Sequence, residues 1–268
     1  MNNLHRELAP ISDAAWAEIS EEAARTFKRH LAGRRVVDVQ GPGGEGMSAV
    51  GTGHIREIEP PHDGVLARQR HVLSLVELRV PFSLDREQID DVARGSQDSD
   101  WQPVKDAARQ LAFAEDRAVF DGYRAADIDG IRPAASTPTI ALPADATGYP
   151  TAIAQALSEL RSAGVNGPYS VVLSADAYTM ASETSDHGYP VIEHLRRLVN
   201  GDIVWAPAIV GGVVLTTRGG DFALQLGQDA SIGYLSHTET SVRLYLQESL
   251  TFLMLTAEAA VPLTPSAA

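Results

Sequence analysis

Ser185, Asp186 and His187 place a hydroxyl, a carboxylate and an imidazole side by side, the three groups of a hydrolytic triad. The reaction needs the imidazole within reach of the hydroxyl and the carboxylate behind the imidazole, which adjacency in sequence does not supply. No G-x-S-x-G elbow occurs anywhere in the chain. A second candidate is Gly41-x-Gly43-x-x-Gly46, directly after the apolar run at 35–39. In a dinucleotide fold such glycines open a helix whose N-terminus holds a pyrophosphate. Here Met47-Ser48-Ala49-Val50-Gly51-Thr52-Gly53 follows, which has no helical pattern, and Glu57 and Glu59 do not close a βαβ unit. The stretch reads as a hinge into a long loop. His5, His30, His54, His62, His71, His187, His194 and His237 form no H-x-x-x-H or H-E-x-x-H pair. Gly188 and Pro190 keep His187 and His194 off a shared helix face. The chain has no cysteine, so thiolate chemistry and disulfides are excluded. No catalytic residue, cofactor or metal is expected; a hydrolase built on Ser185, Asp186 and His187 is the alternative.

Composition narrows the classes further. Thirty-five acidic against 22 basic residues give a formal net charge of −13. That excludes a protein that coats phosphate backbones, which needs clustered positive charge. The N-terminal MNNLHRELAP lacks the apolar core of a signal peptide. The longest uncharged run, 203–217, is shorter than the ~20 residues that span a bilayer. The expectation is a cytoplasmic protein with no membrane span.

The strongest helical signal covers 100–123. Val104, Ala107, Ala108, Leu111, Ala114 and Ala118 recur at the spacing of one buried face. Asp100 is its predicted N-cap, Pro103 lies in the first turn, and Gly122 is the stop signal. At ~1.5 Å per residue it is roughly 35 Å long, a spine for a domain. A first helix is predicted over 14–31, with Trp16, Ile19, Ala23, Phe27 and Leu31 on its apolar stripe. From 47 to 80, glycines and prolines punctuate alternating segments. A two-stranded excursion of this kind cannot bury both faces within itself and must lie against something else. The 131–150 stretch is predicted as an aperiodic connector, followed by a helix over 151–163 and a buried strand over 169–174. Helices at 176–183 and 191–199 flank the 185–190 loop. Strands follow at 202–205, 213–217, 222–226 and from 232 to 255, before a loose Pro/Ala/Ser-rich tail at 260–268. The fold class is α+β, with helices segregated from mostly antiparallel strands.

Several short stretches together carry a family resemblance. They are Leu8-Ala9-Pro10, Gly33-Arg34-Arg35-Val36-Val37-Asp38-Val39 with Gly41-Pro42, Glu77-Leu78-Arg79 with Phe82-x-Leu84, and Glu115-Asp116. They continue with Gly167-Pro168-Tyr169, His187-Gly188-Tyr189-Pro190, Arg218-Gly219-Gly220-Asp221-Phe222, Gly227-Gln228-Asp229-x-Ser231-Ile232-Gly233-Tyr234 and Val242-Arg243-Leu244. With these the chain closely resembles the encapsulins, bacterial shell proteins with the fold of tailed-phage major capsid proteins.

The resemblance implies a self-assembling icosahedral compartment rather than an enzyme. It implies an N-terminal helix and arm at 1–45, an extended loop at 46–77 clasping a neighbouring subunit, a discontinuous peripheral domain at 78–130 plus 225–268, and an axial domain at 131–224. The partners implied are further copies of the chain and a cargo enzyme, a dye-decolorising peroxidase or ferritin-like protein of oxidative-stress or iron handling, held by its C-terminal docking peptide. By that similarity Phe27, Leu31, Arg34, Asp38, Asp229, Ile232 and Tyr234 would bind the peptide, and Asp186, His187, Gly188 and Tyr189 would line a pore. A flavin, held in some members through a tryptophan, is not expected: the short helix at Arg86-Glu87 has no aromatic residue.

Overall fold

Ser12 accepts the Ala15 amide at 3.3 Å and starts the first helix, α1 (Asp13–His30). In this computed structural model, which describes residues 3–266, α1 buries Ala15, Trp16, Ile19, Ala23 and Phe27 against the spine helix. A 3-10 turn, Gly33–Arg35, leads to β1 (Asp38–Gln40). The glycine motif at 41–46 then runs into a strand, β2 (Ala49–Ile58), so no helix N-terminus stands there to hold a pyrophosphate. β2 and β3 (Ala67–Ser74) form an antiparallel ribbon, paired from Ala49–Ser74 to Ile58–Ala67. The ribbon lies off the cores: Ile55 is 56% and Leu66 83% exposed. β4 (Val76–Asp85) returns to the body, and the Asp85 side chain caps α2 (Arg86–Ala93).

The spine, α3 (Gln102–Phe120), is shorter than the predicted 100–123. Trp101 occupies the N-cap position, while the Asp100 carboxylate accepts the Gln102 amide at 2.9 Å. Its buried face also differs from the alanine stripe expected: Ala114 is only half-buried, whereas Glu115 and Asp116 are fully buried. The predicted connector at 131–150 contains a short helix, α4 (Ile131–Ala134), a strand, β5 (Ile140–Leu142), and the start of α5 (Tyr149–Ser162). These pieces are too short to show a period. β6 (Tyr169–Leu173), α6 (Ala175–Glu183), the two-residue strands β7 (Ser185–Asp186) and β8 (Tyr189–Pro190), α7 (Val191–Leu198), β9 (Ile203–Trp205) and β10 (Gly212–Thr216) follow. The runs at 222–226 and 232 onward are one bulged strand, β11 (Phe222–His237), paired along its length with β12 (Ser241–Met254).

The stretch from 260 onward was expected to be loose. Its described part is instead β13 (Ala260–Pro265), antiparallel to β10 and parallel to β5, with Ala260, Val261 and Leu263 fully buried; 267 and 268 lie outside the described residues. Proline misleads here. β5 covers only 263–265, so the strand is open on one side at Pro262, where a residue without an N–H is tolerated.

Two sheets result. One has the order β1-β11-β12-β4, the other β5-β13-β10-β6-β9, so 260–265 joins the sheet of the 131–224 elements. Two hydrophobic cores lie beneath them. The first gathers α1, α2, the N-terminal half of α3 and residues such as Ile232, Leu244 and Leu246. The second gathers Ala118, Val119 and Phe120 of α3, the five-stranded sheet, and Leu224, Leu226, Leu250 and Phe252. α3, β11 and β12 run through both.

Candidate functional site: a cavity beneath the first helix

A cavity of about 620 Å³ opens between α1 and the bulged part of β11. Five of the seven residues expected to bind peptide line it: Phe27, Leu31, Arg34, Asp229 and Ile232. Helical spacing puts Ser20, Ala24, Phe27 and Leu31 along one side of α1, and the register shifts between Leu226 and Ser231 swing 229–232 toward it. Leu4, Arg6, Lys28 and Leu246, which sequence reasoning missed, complete much of the wall. Leu4 is held there by the Tyr234 amide, which donates to its carbonyl at 2.8 Å. Arg6 stacks on Trp16 and donates to Ser20 Oγ at 3.1 Å. The wall is therefore apolar, with mostly basic groups around it.

Arg34 is a structural residue as well as a lining one. Its Nε and Nη2 donate to Glu115 at 2.6–3.0 Å, Nη1 donates to Asp229 at 2.8 Å, and Nη2 reaches Glu248 at 3.3 Å. Its guanidinium carbon lies 5.2 Å from the Phe27 ring centre. Burial alone would lower the Arg34 pKa, but the bonds and charges of Glu115 and then Asp229 outweigh it and raise it. Glu115 and Glu248 are 0% exposed, whereas the Asp229 side chain is 49% exposed at the mouth. Next to this cluster Asp116 accepts the Ala32 and Gly33 amides at 2.8–3.1 Å, tying the end of α1 to the spine. Burial pushes the Asp116 carboxyl up, against these backbone bonds, to about 7.

The two remaining expected residues lie apart. Asp38 is not at the cavity. Its Oδ2 accepts the Gly220 amide at 2.6 Å, holding a turn in which Gly219 and Gly220 both have positive φ. That turn is also braced by Arg218, which donates to both oxygens of Asp221 at 2.9 Å. Arg34 and Asp38 thus have separate partners, Arg34 the inward-facing Glu115 of the spine and Asp38 the Gly220 amide. Tyr234 is half-buried over the same core, with its hydroxyl 2.6 Å from His237 Nδ1, and is not among the lining residues.

The 185–190 loop is a tight hairpin, with β7 and β8 joined by His187 (φ 48°) and Gly188 (φ 82°), the two positive-φ positions such a turn demands. His187 is 98% exposed and its Nε2 is 3.6 Å from Asp186 Oδ1. No hydrogen bond joins Ser185 to His187 among the described residues, so the hairpin does not assemble a triad. Tyr189 stacks on His194 at 4.7 Å, and the Arg197 guanidinium also lies 4.7 Å from its ring centre. Among the described residues no group of three or more Asp, Glu or His is placed to hold a metal, and no helix is long and apolar enough to cross a membrane.

A spine helix, a protruding ribbon and two sheets, one of them built on the long β11–β12 pair, make up a fold that viral capsid proteins share. A virus-like particle from Pyrococcus furiosus has the same fold at a TM-score of 0.63 and 14% identity, covering 92% of this chain and 98% of that one. The capsid of Myoviridae phage XM1 matches at 0.56 and 11%, covering 87% and 90%. Sequence narrows the class. A family described as "Encapsulating protein for peroxidase" matches residues 1–251. Shell proteins named type 1 encapsulins from Rhodococcus erythropolis and Mycobacterium tuberculosis are 64% identical over 263 residues and 65% over 264, each covering 98% of this chain and 100% of the relative. The chain belongs to the type 1 encapsulin shell proteins, structural subunits of cargo-enclosing shells.

Proposed function

We propose that this protein self-assembles into a closed icosahedral shell in the cytoplasm and encloses an enzyme whose C-terminal peptide docks in the cavity beneath α1. The apolar wall with charged residues at its mouth carries this reading: apolar contacts supply affinity and the charged groups fix register. The description of the matching family, an encapsulating protein for peroxidase, favours a dye-decolorising peroxidase as the cargo, with a ferritin-like protein as the second choice. The exposed β2–β3 ribbon, which cannot bury both faces itself, clasps a neighbouring subunit. The segment 131–224 forms the axial domain, and Asp186, His187, Gly188 and Tyr189 line a pore. Neither nucleic acid nor a cofactor is required.

The test is Ala24→Trp. Ala24 is exposed within the cavity wall and outside both cores. A bulky ring there fills the cavity without disturbing packing. Co-expressed with the native cargo, the variant is expected to give normal particles by electron microscopy with cargo reduced at least tenfold. Full loading of normal particles would place docking elsewhere.

A further inference from the structure

The two hydrophobic cores meet at a polar seam. On α3 the apolar face passes from Leu111 and Ala112 of one core to Ala118, Val119 and Phe120 of the other, with Glu115 and Asp116 between. On β12 it passes from Leu246 to Leu250, with Glu248 between. The fully buried Glu115 and Glu248 thus meet at the seam, with Asp116 beside them on the Ala32 and Gly33 amides, and Arg34 is the one cation among the described residues that bonds the two glutamates. Asp229 of β11 adds a fourth carboxylate at the solvent end. β4, which pairs with β12, places Leu78 opposite Glu248; its Glu77 and Arg79 point to the other face of the sheet, where Arg79 bonds Gln247. From α1 the neighbour is Phe27.

We propose that Glu248 carries a proton that it donates to Glu115 in the folded subunit, and that this proton sets how firmly the seam between the two cores is held. With both ionised, one guanidinium would face two fully buried negative charges, and such a set is unstable in a low-dielectric interior. Glu248 Oε1 meets no donor among the described residues, an orphan that an added proton turns into a donor toward Glu115. Burial first, then the charge of Glu115 and a hydrogen bond to it, raise the Glu248 carboxyl well above the ordinary range, against the pull of Arg34. The step is a simple ionisation: the proton leaves Glu248 for water and a second buried negative charge stays behind. Arg34 is then shared more evenly between Glu115 and Glu248 and is drawn from Asp229, so the cavity wall changes with the seam. This protonation holds whether or not a peptide docks there.

The direction follows from linkage. A carboxyl raised in the folded state makes folding progressively less favourable as pH climbs from its unfolded value to its folded one. One retained proton corresponds to at most about a tenfold rise in the unfolding equilibrium per pH unit. Glu248→Gln copies the protonated acid, donating to Glu115 and accepting from Arg34, and abolishes this slope. Empty assembled shells are compared from pH 5 to 9 by thermal unfolding and by infrared difference spectroscopy. The Asp116 contribution is common to both proteins and cancels in the difference. The expected results are a protonated-carboxyl band at pH 7 that is stronger in wild-type shells than in E248Q, leaving a positive wild-type-minus-E248Q difference, and E248Q gaining on wild type as pH rises. E115Q/E248Q, which leaves Arg34 without a buried anion, is expected to be less stable than E248Q at every pH. A difference spectrum with no protonated-carboxyl band, or parallel stability curves for wild type and E248Q, would overturn the proposal; either result would leave peptide docking untouched.

Discussion

Arg34→Met removes the one cation from the seam while keeping much of the side-chain volume. Five contacts at 2.6–3.3 Å to three carboxylates are lost, three of them to Glu115, which is 0% exposed. Removing one partner of a buried ion pair strands the other, at a cost of ~3–5 kcal/mol. The half-exposed Asp229 adds little, ~0–1 kcal/mol at most. Against a domain stability of ~5–15 kcal/mol this is a large fraction. For a chain of this size it corresponds to a drop of roughly 6–20 °C in Tm. Arg34→Lys keeps the charge but not the planar fork, so it is expected to fall between wild type and Met. Glu115→Gln in the Met background removes the stranded charge and is expected to recover part of the loss. The assay is particle yield by electron microscopy together with thermal unfolding of the assembled shell. If Arg34→Met shells form at wild-type yield and melt at the wild-type temperature but take up no cargo, the reasoning is wrong, and Arg34 is a docking residue rather than a structural one.

Three further outcomes are expected. Asp38→Ala takes the acceptor from the exposed Gly220 amide, lowering stability by ~0.5–1.5 kcal/mol at most while cargo loading stays unchanged, since Asp38 is outside the cavity; unfolding curves and loading measured on the same particles check both. Asp116 has a folded pKa raised to about 7, so its contribution to stability falls as pH rises from about 4 to 7; Asp116→Asn lacks that fall, and the variant is expected to gain on wild type across that window in thermal unfolding. Deleting 186–189 is expected to leave particles intact and to speed the entry of a small reporter substrate, whereas unchanged entry would place the pore away from the hairpin.

How much was legible follows from which residues obeyed a single period. α1 and the body of α3 were readable because their apolar residues repeat every three or four positions and Ser12 supplies a cap. Glu115 and Asp116 were readable in principle, since they fall four residues after Leu111 and Ala112 on the same face. They counted toward the resemblance but not toward the buried stripe, because carboxylates there contradict hydrophobic patterning unless a cation is known to reach them, and Arg34 lies 81 residues away. The cavity was half legible. Phe27, Leu31, Asp229 and Ile232 followed from the resemblance, but Leu4 and Arg6 enter only because the N-terminal segment crosses β11, a contact with no local sequence signal. β13 was missed for the opposite reason, a strand disguised by proline and dependent on partners far along the chain.

That late strand also bears on the order of events in synthesis. β13 lies between β5 and β10, so the five-stranded sheet stays split until residue 265 has left the ribosome. Until then β5 has no partner strand, and the neighbouring edge of β10 is bare. Closure of the five-stranded sheet therefore waits on β13, however early β6, β9 and β10 pair.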